Sequence, residues 1–331
     1  VSWAPDPGRF LADLEAKPDA LRSLATSLEA DDPWAGVDDP RRVILLGMGS
    51  SWFAALVGAA RLRALGIDAV AERASAEAAH PGGPGTLAIG ISASGATEET
   101  VDALRRHAEG GSATVALTNA EGAVASSVAA RNVPMWAGPE GGGVACRSFQ
   151  HTLAFLLALE DRLAGTARTV GTVRGAAEAT EALLARREDW LPRARDLLTS
   201  TGQAFTIAPA ERIASAEQGA LMLREGPRLV ADACETGDWL HVDVYLTKPL
   251  DYRAVLFAGS RFDAAVMGWV ADRGATVVAV GGDVPGAAAT VRYPGDDDRD
   301  VATLTEVLVP ELIAASAWAE QTGERRSRIR W

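Results

Sequence analysis

The sequence predicts an α/β protein built from two doubly wound sandwiches, each a parallel sheet covered by helices on both faces, with a helical arm ahead of them. Three observations carry this. Apolar strand-like runs alternate with helical patterns from Val43 onward, and strand alternating with helix is the signature of a parallel sheet buried on both faces. A second set of the same kind begins near Ala204, after an Ala/Arg/Glu-rich helical stretch over 166–198. Two of the strand-like runs end in turns of small hydroxyl residues and lead directly into helices.

Residues 9–30 place Phe10, Leu14, Leu21, Leu24 and Leu28 at helical spacing, with Pro18 interrupting the run, so 1–40 reads as the arm. The first sandwich, 41–165, takes strands at 43–46, 67–71, 87–91, 113–117 and 133–136, and helices at 51–65, 97–109, 121–130 and 148–163. A helical connector over 166–198 follows. The second sandwich, 199–331, opens with the strand Ala204–Ile207 and a helix from Ala214 to Glu225 that Gly226-Pro227 stops. Strands at 254–257 and 276–280 flank a helix over 263–271, and a helix from about Thr303 to Glu320 closes the set.

Composition narrows the function classes. The 331 residues are 48% hydrophobic and 23% charged, which suits a folded chain with a substantial core. A net charge of -12 argues against nucleic acid or an anionic membrane as the main partner. A small anionic ligand needs only local donors and is compatible with that charge. Cys146 and Cys234 form neither a disulfide framework nor a metal-site spacing, and His80, His107, His151 and His241 are scattered, so no metal or other cofactor is expected. No stretch of about 18 uncharged apolar residues occurs, and no basic segment with an apolar core opens the chain, so a cytoplasmic protein is expected. Lys17 and Lys248 are the only lysines, which limits any amine chemistry to two candidates.

The turns are where chemistry is concentrated. Leu87–Ile91 delivers the chain to Ser92-Ala93-Ser94-Gly95-Ala96-Thr97, and a helix opens at Glu98. Upstream, Val43–Leu46 runs into Gly47-Met48-Gly49-Ser50-Ser51 and then a helix from Trp52. Each turn offers hydroxyls, unpaired N–H groups and the positive end of a helix dipole, the ingredients of a phosphate cradle. A nucleotide-binding reading is disfavoured: Gly47-Met48-Gly49 lacks the third glycine of a dinucleotide fingerprint, and no Gly-Lys-Ser/Thr is present.

Gly49-Ser50-Ser51, the Ser92–Thr97 loop, Ala137-Gly138-Pro139-Glu140, Val144-Ala145-Cys146 and the helix Glu217–Glu225 resemble, in order and spacing, the paired sugar isomerase (SIS) domains. The chain is similar to the isomerase half of glucosamine-6-phosphate synthase and to stand-alone fructosamine-phosphate deglycases and amino-sugar phosphate deaminases. The resemblance covers about residues 40–320. It implies a flavodoxin-like fold in each half and a homodimer with shared active sites. It also implies a hexose or hexosamine phosphate held by Gly49, Ser50, Ser51, Ser92, Ser94, Gly95 and Thr97, with Val144 added to the binding set. Glu225 would move a proton between the first two sugar carbons, and His241, sixteen positions later, would assist ring opening.

The chain departs from that pattern at several points. Ala93 and Ala96 replace an amide and a carboxylate, Met222 stands where a lysine is common, and Val242-Asp243 follows His241 in place of Gly-Pro. The tail from Glu324 to Trp331 contains no lysine where synthases carry the ring-opening one. No glutaminase domain is recognised. The expectation is therefore a phosphosugar isomerase or amino-sugar phosphate deaminase/deglycase acting on a hexose 6-phosphate derivative through an enediol or enediolamine. The competing expectation, suggested by the replaced residues, is a non-catalytic sugar-phosphate sensor.

Overall fold

The structure, a computed structural model, describes residues 5–328, with side chains described as far as Gly323. The chain forms two compact units that interleave along the sequence. The N-terminal sandwich comprises Ala20–Pro139 and Arg147–Arg174; the C-terminal sandwich gathers the residues through Asp19, Glu140–Cys146, and everything from Gly175 onward. The predicted arm is thereby shared: α1 (Pro7–Glu15) buries Phe10 and Leu14 in the C-terminal core, whereas α2 (Lys17–Ala30) passes into the N-terminal unit from Ala20.

In the N-terminal sandwich the elements run β1 (Arg42–Gly47), α3 (Ser50–Ala64), β2 (Asp68–Arg73), β3 (Thr86–Ser92), α4 (Glu98–Glu109), β4 (Ala113–Thr118), α5 (Val124–Val128), β5 (Arg131–Pro134) and α6 (Arg147–Ala164). The sheet is parallel throughout with order β2-β1-β3-β4-β5. β1 and β3 are buried along nearly their whole length, as the continuous apolar runs require. The last strand ends at Pro134, earlier than the sequence suggests: the Met135 N–H still donates to Thr118 O at 2.7 Å, and Trp136 then turns the chain with φ 53°.

α7 (Thr169–Ala185) and α8 (Arg187–Thr199) form the predicted helical connector. The C-terminal sandwich continues with β6 (Gln203–Ala208), α9 (Ile213–Glu225), β7 (Val230–Glu235), α10 (Thr236–Trp239), β8 (Arg253–Phe257), α11 (Asp263–Arg273), β9 (Thr276–Val280), β10 (Ala289–Val291), α12 (Arg299–Thr305) and α13 (Leu308–Arg328). Its order, β10-β9-β8-β6-β7, repeats the N-terminal plan strand for strand. Both sheets therefore have the doubly wound, flavodoxin-like topology.

β7 and β10 carry no signal in the sequence pattern. β7 is an edge strand of small and charged residues, Val230-Ala-Asp-Ala-Cys-Glu, and β10 has three residues. The run Arg299–Gly323 is long and apolar enough to cross a membrane by length and composition, although it carries Glu306 and Glu311 and so is not an uncharged stretch. Its apolar window is 89% buried inside the fold, which makes it a core helix of the sandwich.

Candidate functional site

In the N-terminal sandwich, β1 leads through α3 to β2 on one side, and β3 leads through α4 to β4 on the other. The crevice between the loops after β1 and β3 is thus the topological switch point, where ligands of open α/β sheets bind. Both predicted turns sit there. Gly47 admits no side chain, since a Cβ would lie 2.8 Å from the Ser51 carbonyl carbon. Gly49, with φ 50°, is the N-cap of α3 and has no side chain with which to cap it. The Ser51 N–H donates to Met48 O at 3.1 Å, and Ser50 and Ser51 are half-buried at the crevice edge.

The second loop is a closed hydroxyl network. Ser92 Oγ shares a hydrogen bond with Thr97 Oγ1 at 2.9 Å and accepts the Gly95 N–H at 3.0 Å; Ser94 Oγ accepts the Ala96 N–H at 3.3 Å. Gly95 is obligatory: φ is 60°, and a Cβ would lie 2.2 Å from that of Ala123. Thr97 occupies the N-cap position of α4, yet its hydroxyl turns to Ser92, so α4 has no side-chain cap. Two helix N-termini on adjacent strands therefore present first-turn N–H groups without any side-chain acceptor, an arrangement suited to an anion.

Sequence reasoning missed the groups that brace this crevice. Asn119, just after β4, donates its backbone N–H to Ala93 O at 3.0 Å and its amide to Gly138 O at 2.7 Å, while its Oδ1 accepts the Ala137 N–H at 2.9 Å. The Arg73 guanidinium, at the end of β2, lies 3.6 Å over the Trp52 ring in the first turn of α3. An asparagine directly after a buried strand was the only available signal.

The corresponding crevice of the C-terminal sandwich, about 1130 Å³ and lined by Arg212, Ser260, Asp263, Gly282 and their neighbours, has different chemistry. Asp263 Oδ2 accepts the N–H groups of Gly259 at 2.7 Å and Ser260 at 3.1 Å. A tethered carboxylate already fills the position that an anion would take.

Val144, Glu225 and His241 all belong to the C-terminal unit. Glu225 is the last residue of α9, half-buried, and burial holds its carboxyl above the ordinary range against the opposing charges of Arg228 and Arg224. From the same helix Gln218 Nε2 donates to Ala145 O at 2.9 Å and fixes the Glu140–Cys146 loop. That loop is further held by the Gly142 N–H on Asp13 at 2.7 Å and the Cys146 N–H on Glu140 at 2.7 Å. Val144 is buried, with its side chain in the C-terminal core. Met222 is also fully buried.

His241 stands on the exposed segment after α10, its N–H on Asp238 O at 2.8 Å, beside exposed Val242 and Tyr245. Among the described residues no hydrogen bond or ion pair joins it to Glu225. Trp239 is a core residue: it is fully buried, and its indole N–H donates to Tyr252 Oη at 2.8 Å. The lysine-free tail from Glu324 has its side chains outside the described residues.

These features define an α/β protein of two doubly wound sandwiches, one of which carries two hydroxyl-rich loops at its switch point. Residues 37–160 match the SIS domain family model. It is 28% identical over 334 residues to the isomerizing glutamine–fructose-6-phosphate aminotransferase of Aeropyrum pernix, an alignment covering 93% of this chain and 52% of that protein. The chain spans about half the length of that relative. Among solved structures it resembles tagatose-6-phosphate ketose/aldose isomerase from Escherichia coli, with TM-score 0.81, 15% identity and coverage of 97% and 96% of the two chains. It also resembles glucosamine-6-phosphate deaminase from Thermotoga maritima, with TM-score 0.74, 17% identity and 95% of each chain covered.

Proposed function

We propose that the protein is a phosphosugar isomerase or amino-sugar phosphate deaminase/deglycase whose substrate is a hexose 6-phosphate derivative. The observation that carries this is the pair of uncapped helix N-termini at the switch point of the N-terminal sandwich, on loops whose only side-chain polar groups are hydroxyls. Backbone N–H groups and Ser/Thr hydroxyls are the donors that hold a phosphate without a cation. The relatives' names, an isomerizing aminotransferase, a ketose/aldose isomerase and a deaminase, support chemistry at the first two carbons of such a sugar.

In this reading Ser50, Ser51, Ser92, Ser94 and Thr97 hold the phosphate, and Gly49 and Gly95 give the backbone the conformations that expose its donors. Glu225 takes the proton from one of the two reacting carbons and returns it to the other. A carboxyl raised by burial is better matched to that task near neutral pH than an ordinary glutamate. His241 moves the hydroxyl proton during ring opening, and its exposed segment suits a residue shared across a homodimer.

Glu225→Gln tests the assignment. The variant is expected to bind phosphosugar like the parent while turnover falls about a hundredfold or more. Undiminished turnover in the variant rejects Glu225 as the proton-transfer group. Phosphosugar binding by the parent with no turnover on aldose, ketose or amino-sugar phosphates would turn the reading to a sensor.

A further inference from the structure

Beside the first serine turn stands an arginine to which the phosphate reading gives no task. Arg73 ends β2, and the sheet register pairs it with Gly47, where β1 gives way to the turn; the Ala74 N–H donates to Gly47 O at 3.2 Å. Adjacent strands lie about 4.8 Å apart, so a full positive charge is anchored one strand away from the start of the turn. The guanidinium carbon lies 3.6 Å from the centroid of the Trp52 ring, and Trp52 directly follows Ser51 in the first turn of α3. At that distance two flat groups touch face to face, which leaves the N–H donors, all in the guanidinium plane, free of the ring. The side chain is exposed, and no hydrogen bond or ion pair engages the guanidinium among the described residues. Arg42, Arg105 and Arg174 of the same unit each hold a carboxylate instead.

Uncapped N–H groups and hydroxyls recognise a tetrahedral oxyanion by its shape, and a sulfate satisfies them as a phosphate does. We propose that Arg73 is the charge-selecting residue of this site: stacked on Trp52 beside the first turn, it makes the loops prefer the dianionic phosphate of a sugar 6-phosphate to a singly charged group of the same shape, a role that rests on the two loops holding the phosphate. The cation–π contact holds a long side chain in place without consuming a donor, so less freedom is lost when an anion arrives. A chain of net charge -12 repels anions at long range, and a full local charge offsets that repulsion at the point of binding. A guanidinium can meet two phosphate oxygens with parallel hydrogen bonds, which hydroxyls cannot reproduce.

The test is binding of fructose 6-phosphate and fructose 6-sulfate, with inorganic phosphate and sulfate as sugar-free probes, by titration calorimetry in the parent, Arg73→Gln and Arg73→Lys. At pH 8 the two esters share a shape and differ by one charge. One extra unit of charge beside a surface guanidinium accounts for a preference of about tenfold or more. The parent is therefore expected to bind the phosphate ester about tenfold or more tightly than the sulfate ester, Arg73→Gln to lose most of that preference, and Arg73→Lys to keep part of it. A phosphate ester loses its second proton near about pH 6, so parent affinity for fructose 6-phosphate should climb between pH 5 and pH 7.5, and less steeply in Arg73→Gln. Arg73 is exposed, so both variants are expected to melt with the parent. A phosphate-to-sulfate ratio in Arg73→Gln within about twofold of the parent's, or an equally steep pH dependence, overturns the charge-selecting role and leaves the loops as the phosphate site. Failure of the parent to bind either phosphate probe instead rejects the loops as a phosphate site, and the role of Arg73 with them.

Discussion

Gly95→Ala probes the cradle at its tightest point. At φ 60° an alanine costs about 1–2 kcal/mol through its Cβ and the neighbouring carbonyl. The new methyl would also lie 2.2 Å from Ala123 Cβ and 3.1 Å from Thr118 Cγ2, so the loop or α5 must move; such overpacking costs about 1–3 kcal/mol. The expected destabilisation is ~2–5 kcal/mol. For a unit of roughly 150 residues, at about 3 °C per kcal/mol, this lowers the N-terminal unit's melting temperature by ~6–15 °C, read by calorimetry. Adding Ala123→Gly removes the closest clash and leaves the Thr118 contact and the conformational part, so the double variant should recover part of the loss. Phosphosugar affinity should fall in the single variant, because the displaced loop no longer aims its N–H groups. A Gly95→Ala protein that melts within a degree of the parent and binds normally would refute the loop geometry on which the functional assignment rests.

Other expectations follow from single contacts. Gly47→Ala, whose Cβ would press on Ser51, should weaken phosphosugar binding at least tenfold while leaving unphosphorylated sugars unaffected, as titration calorimetry would show. Lys17→Met strands Glu311, which is fully buried beside it, and should cost ~3–5 kcal/mol at pH 8 by denaturant unfolding. That cost should shrink at pH 5, because burial pushes the Glu311 carboxyl up to about 7 and lower pH neutralises it. Asp243, raised to about 6 by burial beside Asp232 and Asp238, favours its protonated form in the fold. Its contribution to stability is therefore full below about pH 4 and is lost as pH rises through 6. Asp243→Asn should flatten that part of the stability profile. For Glu225, raised by burial, the acidic limb of the kcat/KM profile should lie above that of an ordinary glutamate, and Arg228→Gly should move it higher still.

The parallel sheets were legible because their central strands are buried on both faces: Val43–Leu46, Leu87–Ile91 and Ala254–Phe257 are continuous apolar runs that admit few other readings. Edge strands escape the same logic. In β7 only every other position needs to be apolar, and Asp232 and Glu235 hide the period. The interleaving of the two units was invisible for a different reason. Phe10 and Leu14 announce a buried helical face, yet nothing local says which core receives it. The two serine turns were found from small residues after apolar runs, and the structure places both at the switch point. The side chains that brace them, Asn119 above all, act through pairings between distant loops that spacing along the chain cannot show.

The most direct test of the central claim is thermal stability against hexose, hexosamine and fructosamine 6-phosphates, with the unphosphorylated sugars as controls, in the parent and in a Ser92→Ala/Thr97→Val variant. At about a hundred times its dissociation constant a ligand should add roughly 2.7 kcal/mol. The parent should show a stabilisation that depends on the phosphate, and the variant should lose it while keeping its fold. A shift of equal size with unphosphorylated sugars, or one that survives in the variant, would contradict a phosphate held by the two loops.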